Sequence, residues 1–294
     1  MNHKQHNKFQ EAKTTIFRVD REDTLMPFLM RKFGSMSKTG VKKILSNGFV
    51  SIDGQQVTNF DYNLRTGMEV VIRKESDNER FRNPWVKIVY QDDDIFVIEK
   101  RNGILSNSAN AKDETVQRIL NTYLDRTHQR CSSHVVHRLD RDTSGLMVYA
   151  KSKKVALAFE EDWKNIVYDR RYVAMVHGEM TEKTGTVTSY LRENSHFLTI
   201  SSKEDNGGKL AITHYNVLKV ADGFSLVELK LETGRKNQIR VHMQDLGFPV
   251  VGDAKYGDGT NPIGRLGLHA YRLCFRHPVT GEDMVFETAM PKWV

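Results

Sequence analysis

The sequence predicts an α+β fold. Three observations carry that expectation. Beyond Trp85 short strand-like apolar runs dominate, with helical stripes interspersed. These strands and helices come in groups, without the strict alternation of a doubly wound sheet. The 294 residues, 39% hydrophobic and 28% charged, suffice for one large domain with a smaller module, and exclude a mini-protein or a disordered chain. Runs such as Ile95-Phe-Val-Ile98 and Ser144 to Ala150 stop far short of the roughly 18 apolar residues of a membrane span. Met1 to Lys13 is polar rather than signal-like, so a cytoplasmic protein with no membrane partner is expected. Cys131 and Cys274 lie far apart with no CxxC pair, which suggests neither a disulfide framework nor a cysteine zinc site.

Taken in order, residues 1–14 are polar and lack an apolar period, and read as a mobile tail. A small unit is expected over 15–75. There Leu25, Phe28, Leu29 and Phe33 recur at helical spacing; after Gly34-Ser35, Ser37 can cap a second helix with Val41, Ile44 and Leu45 on its apolar face, ended by Gly48. Phe49 to Val57 reads as strand, Asp53-Gly54 turn and strand, and Gly67 to Arg73 as a further strand. Residues 76–84 are polar and proline-terminated, a linker to a second domain over 85–294. In that domain Val86 to Tyr90 and Ile95 to Ile98 are strands around an Asp92-Asp-Asp94 turn, and Thr115 to Leu124 and Lys153 to Asn165 are helices. Tyr172 to Val176 and Val217 to Leu231 are strands, and Arg235 to Leu246 is a helix closed by Gly247, with Pro249 beyond.

The net charge of +7 raises the prior for a polyanionic partner, and the excess is uneven: residues 1–75 hold 13 Lys/Arg against 8 Asp/Glu. Lys38, Lys42 and Lys43 share one face of the second helix, near Arg31 and Lys32, a pattern that from charge alone is a solvated face. The densest polar cluster is His134 to Ser152, where Asp140 sits between Arg138 and Arg141, after Val135-Val136 and before an apolar strand. Such an aspartate either caps a loop or, acting in its charged form beside arginines, serves as nucleophile or electrostatic stabiliser rather than general acid. In the second cluster, Leu231 to Gly257, the helix buries Ile239, His242 or Met243, and Leu246, while Arg240 points away and is free to reach a partner. Its bland role is a surface salt bridge. With no HExxH or Cys/His spacing, His242 is expected in the core or at its rim, and no metal is expected.

These residues carry a family resemblance. The stretch 15–75, helix, turn, basic helix, then "GFVSIDGQQV" and "LRTGMEVVIR", resembles the S4 RNA-binding module, which makes Lys38, Lys42 and Lys43 phosphate contacts. Beyond it, His137 to Leu146, Arg171 to Gly178, Thr233 to Arg240 with Gly252 to Gly257, and Leu268 to Ala270 followed by His277-Pro278 are similar to the successive motifs of the RluA-type pseudouridine synthases. The resemblance implies a mixed, largely antiparallel sheet in the catalytic domain and a small α/β S4-like module in front. It also implies isomerisation of uridine in structured RNA: the N1–C1′ bond breaks, the uracil turns, and a C5–C1′ bond forms, without cofactor or metal.

Carried over residue by residue, Asp140 is the catalytic aspartate and Arg240 its basic partner. Arg138 enters the RNA stack where the target leaves it, and Tyr172 packs against the uracil and is a candidate proton carrier. Extruding a nucleotide and retaining free uracil calls for a closed apolar pocket, for which Val135, Val136, Leu139, Tyr172 and Ile239 are available. Two positions depart from the family pattern: Asn237 stands where a histidine is usual, and Lys100-Arg101 where Lys-Pro is usual. The S4-like front tilts the expected substrate toward ribosomal rather than transfer RNA, and a monomer is the expected state. The competing readings are a non-catalytic RNA-binding or ribosome-assembly protein and an aspartate-dependent hydrolase; the latter would want a second carboxylate or a metal cluster.

Overall fold

The computed structural model describes residues 14–34, 36–46, 49–57, 59–73, 81–127 and 129–293. The tail reading of 1–13, most of the linker, the helix end at Gly48 and the side chain of Lys43 lie outside the described residues. The chain divides into two compact units, one formed by residues up to Arg82 with 122–131, the other by 83–121 and 132–294.

In the first unit β1 (Thr14–Arg18) is followed by β2 (Asp23–Thr24), α1 (Leu25–Phe33), α2 (Lys38–Ser46), β3 (Val50–Ile52), β4 (Gln55–Gln56), β5 (Asn63–Leu64) and β6 (Glu69–Arg73). An antiparallel sheet in the order β1-β6-β3-β4 packs with Leu25, Phe28, Leu29, Val41 and Leu45 of the two helices. Asp53 and Gly54 both have positive φ, 47° and 82°, as the two-residue β3–β4 hairpin requires. The Ser37 hydroxyl accepts the Gly40 N–H at 3.1 Å, the cap expected for α2. Arg31, Lys32, Lys38 and Lys42 are all exposed; Arg31 is held by Asp23 at 2.5 Å, and Lys32 stands 3.7 Å from Asp20. The exposed basic side chains thus span the end of α1 and α2, those of α1 being partly offset by Asp20 and Asp23.

The second unit contains β7 (Val86–Gln91), β8 (Ile95–Lys100), β9 (His134–Val135), β10 (Ser144–Ala150), α4 (Lys153–Glu161), α5 (Trp163–Ile166), β11 (Asp169–His177), β12 (Thr184–Glu193), β13 (Thr199–Ser202), β14 (Lys209–Ala221), β15 (Phe224–Leu231), α6 (Gln238–Asp245), β16 (Leu268–Arg276) and β17 (Asp283–Glu287). The helix α3 (Val116–Arg126) precedes β9 and crosses the boundary between the units. One mixed sheet of 11 strands runs β13-β12-β14-β15-β11-β16-β10-β8-β7, with β17 on β16 and β9 on β10. Every pairing in it is antiparallel except one, the short parallel junction Ser144↔His269 and Gly145↔Ala270. The sheet is thus two antiparallel halves, residues 86–150 and 169–287, joined along a two-residue seam. All seven residues of β10 are buried, as a central strand covered on both faces demands.

The predicted α+β class holds, and three element boundaries differ for physical reasons. Val217 to Leu231 is two strands, because Asp222 (φ 53°) and Gly223 (φ 77°) turn the chain back between β14 and β15. The helix expected from Arg235 starts only at Gln238: Asn237 is left-handed at φ 56°, and the Gln238 side chain accepts from Thr233 and from the Arg235 N–H, holding 233–237 as a loop. The expected helix over Lys153 to Asn165 breaks at Asp162 into α4 and α5. Among the described residues no helix is long and apolar enough to cross a membrane.

Candidate active site

A cavity of about 620 Å³ opens over the seam. From one half it takes Val135 to Asp140 and Thr143; from α5 Trp163 and Lys164; and from the other half Arg170, Tyr172, the stretch Leu231 to Arg240, and Leu268. The structure brings Asp140, Tyr172, Arg240, Arg138 and Ile239 to this one cavity, and Lys38 and Lys42 belong to the other unit. Ile239 and Tyr172 are buried, Arg138 is exposed, and Asp140 is half-buried. Six cations (Arg138, Lys164, Arg170, Arg235, Lys236 and Arg240) and two carboxylates (Asp140 and Glu232) line the wall, a balance suited to a ligand carrying several phosphates.

The Asp140 loop is pinned at its backbone. The Ser106 hydroxyl donates to the Leu139 carbonyl at 2.8 Å and accepts the Leu139 N–H at 3.2 Å, and the Asp140 carbonyl accepts the Thr143 N–H at 3.2 Å. Beneath it the fully buried Lys100 ammonium donates to the carbonyls of Arg101, Ile104 and Arg141 at 2.9–3.0 Å, using all three of its donors. Burial pushes this amine down to about 7, against the opposing pull of the Asp142 and Asp140 charges. The neighbouring departure from Lys-Pro has a local reason: the Arg101 N–H donates to the Trp85 carbonyl at 2.8 Å, a bond that proline cannot make. At the loop's far end Gly145, at φ 126°, lies on the backbone of Ala270, where a Cβ would come within 2.2 Å of the Ala270 oxygen.

Arg240 is where the structure corrects the sequence reading. Rather than facing away from the core on an open helix surface, it is buried, and its Nε and Nη2 donate to both oxygens of the fully buried Asp253 at 2.6 and 2.7 Å. That bidentate fork fixes the guanidinium plane. A third nitrogen, Nη1, donates to Asn237 Oδ1 at 3.0 Å and points to Asp140 Oδ2 at 3.6 Å. Burial alone would push Asp253 up; the Arg240 hydrogen bond and charge, with the Lys255 and Tyr256 N–H donors, hold it below the usual carboxylate range. The Asp140 contact is therefore the longer and more open of Arg240's two carboxylate contacts, which leaves Asp140 available to a ligand. Asn237, in a left-handed conformation that asparagine tolerates, also donates through Nδ2 to the Tyr256 hydroxyl at 3.2 Å, and the Tyr256 ring lies 5.1 Å from the Arg240 guanidinium. It thus both accepts and donates, as its amide allows.

Three groups of the site were not singled out from sequence. Arg170 lies 5.3 Å from the Trp163 ring, with room left by Gly234, whose Cβ would stand 3.1 Å from Nη1. His137 accepts the Val148 N–H at its Nε2, and burial together with the Arg170 charge pushes it down to about 3, so the ring is neutral. Asp253 had a signal in the "GDAKYG" run but no spacing to reveal its partner. Burial raises the Tyr172 phenol above its usual range; Arg170 opposes this and Asp140 adds to it, so the hydroxyl keeps its proton near neutrality.

Two expectations outside the cavity are met. His242 is a core residue, held by the Ser189 and Thr213 hydroxyls at 3.0 and 2.8 Å and pushed down by burial to about 4. Asp92 makes the β7–β8 turn, accepting from the Asp94 and Ile95 N–H groups, the Tyr90 hydroxyl and His277 Nε2. Asp92, Asp94 and His277 converge closely enough for a metal, but those donors already occupy the Asp92 oxygens.

Comparison with known proteins gives the chain's relatives. Residues 94–245 match the family model described as RNA pseudouridylate synthase. The chain is 36% identical over 252 residues, 83% of its length and 88% of the relative's, to an uncharacterized RNA pseudouridine synthase, YjbO, of Bacillus subtilis strain 168. It is 34% identical over 277 residues, 88% of its length and 85% of the relative's, to the ribosomal large subunit pseudouridine synthase D of Vibrio parahaemolyticus. Among solved structures it is similar to human RNA pseudouridylate synthase domain containing 1, with a TM-score of 0.57 and 29% identity over 70% of this chain and 84% of that one.

Proposed function

The chain belongs to the RNA pseudouridylate synthase family and is an RNA pseudouridine synthase; from that premise we propose that Asp140 is its catalytic carboxylate and that its substrate uridine lies in ribosomal RNA. One observation carries the first part: a half-buried Asp140 facing a locked Arg240 at 3.6 Å, at the wall of a cavity rich in cations. The target nucleotide is extruded into that cavity at a cost of about a few kcal/mol, with Arg138 filling the gap it leaves. Asp140 assists departure of N1 from C1′, and the Arg240 guanidinium offsets the cost of keeping that carboxylate charged beside apolar walls. Detached uracil turns against Tyr172, Ile239, Val135, Val136 and Leu139, C1′ bonds to C5, the displaced C5 proton is removed, and N1 ends as N–H, so the composition is unchanged. Tyr172, the phenol that lines the cavity, is buried and holds its proton, so it serves as a relay, giving that proton to N1 as its oxygen takes the one leaving C5.

The ribosomal assignment rests on the relative named as acting on the large subunit and on the basic first unit. Mapping pseudouridines in total RNA from cells with and without the gene tests it. Loss at one or a few ribosomal uridines is the expected result; loss confined to transfer RNA overturns the assignment.

Residues 15–75 act, in this reading, as an S4-like module whose α2 lysines contact phosphates. Converting Lys38 and Lys42 to Gln is expected to weaken RNA binding and lower the slope of log K against log salt by about 1–2. An unchanged slope returns this face to solvation alone.

A further inference from the structure

The turn between β12 and β13, Asn194 to Leu198, is built more tightly than a surface loop needs. The Asn194 side chain accepts the His196 and Leu198 N–H groups at 2.9 and 3.0 Å, its N–H donates to the Leu198 carbonyl at 2.8 Å, and its carbonyl accepts the Phe197 N–H at 3.0 Å. At the tip Phe197 is 73% exposed and left-handed at φ 59°. Both facts run against its chemistry: a bulky aromatic is costly in that backbone region and gains nothing from packing when it stands in water. Glycine would fold more easily there.

Both feet of this turn stand on the site. On one side Glu193, the last residue of β12, accepts from Lys236 at 2.7 Å, and Lys236 lines the cavity. On the other, the Thr199 N–H donates to the Tyr256 hydroxyl at 3.0 Å, the same hydroxyl that accepts from Asn237, which in turn receives Arg240. The Thr199 hydroxyl beside it is buried and, among the described side chains, is left without a hydrogen-bond partner. Burying an unpaired hydroxyl is a cost that well-packed structure ordinarily avoids.

We propose that Phe197 is a stacking platform that receives an unpaired base of the RNA flanking the extruded uridine, so that the β12–β13 turn selects substrates with a single-stranded or bulged neighbour. Every nucleobase offers a π-face, so an exposed ring on a turn whose flanking residues bond to the cavity wall can contribute affinity without reading sequence. A turn whose feet rest on Lys236 and on the Tyr256–Asn237–Arg240 chain holds that ring at a fixed offset from the target. The inference rests on the cavity being the site of the reaction.

The test compares Phe197→Gly and Phe197→Trp with wild type in steady state on total RNA from cells lacking the gene, with thermal unfolding measured in parallel. Phe197→Gly is expected to raise KM for RNA about 5- to 100-fold with little loss in kcat, and to unfold no lower than wild type; Phe197→Trp is expected to stay within about threefold of the wild-type KM. A glycine variant within about twofold of the wild-type KM, a tryptophan variant as impaired as the glycine one, or a lowered melting temperature in Phe197→Gly each overturn the proposal. Asp140→Asn run alongside separates the two readings. If it stays active the cavity assignment falls and the platform with it; if it is inactive and Phe197→Gly behaves as wild type, only the platform falls.

Discussion

Asp140→Asn is expected to lower pseudouridine formation by at least about 10³-fold, roughly 4 kcal/mol of transition-state stabilisation, with RNA affinity kept. The asparagine is nearly isosteric, so the loop pinned by Ser106 and Thr143 has no reason to move. It also strands no charge, because Arg240 keeps both of its bonds to Asp253 when Asp140 is neutralised. The folded protein should therefore melt near the wild-type temperature and bind RNA at least as well, since one negative charge has left a cationic wall. Filter binding or anisotropy, read beside a pseudouridine assay, gives both numbers. Wild-type turnover in this variant would remove the catalytic assignment.

The second large effect concerns the Arg240–Asp253 pair. Removing Arg240 leaves Asp253 a buried, uncompensated ion, at a cost of about 3–5 kcal/mol, and removing Asp253 leaves Arg240 with only the longer Asp140 contact. Asp253→Asn and Arg240→Met are thus each expected to melt well below wild type and to lose activity together with stability. Arg240→Lys keeps the charge but not the planar fork, and is expected to lose about 10²-fold in turnover with a smaller stability loss. The informative variant removes both members: Arg240→Met with Asp253→Leu should recover most of the stability, because no charge remains to be satisfied, and none of the activity. Recovery of activity in that double variant would show that Arg240 serves only the fold.

Much of the fold was legible in the sequence because its signals are local. The apolar run Ile95 to Ile98, the Asp53-Gly54 turn, the Ser37 cap and the helical stripe of α1 each specify their element within a few residues. The hairpin at Asp222-Gly223 had the same kind of signal, hidden inside an apolar run long enough to pass for one strand. The Asp140–Arg240 pair was legible as residue types, but the arrangement around it was not. Arg240 looked solvent-facing from its place on the helix because its burial is caused by Asp253, 13 residues on, and by the Tyr256 ring beside it. Lys100 was visible only as half of a Lys-Pro position and Ser106 not at all: one ammonium and one hydroxyl became organising groups only when partners 41 and 33 residues away arrived to meet them.

The lone parallel junction at Ser144–Gly145 and His269–Ala270 has a bearing on how the enzyme comes into being. Each antiparallel half closes mainly among strands of its own stretch, while the seam must bring together residues 125 positions apart, the kind of contact whose loop-closure entropy delays it. Asp140 lies in the earlier-made half and Arg240 in the later one, so their contact forms only after both halves have been synthesised and the seam between them has closed. That contact is in this sense a late product of folding rather than of any local signal.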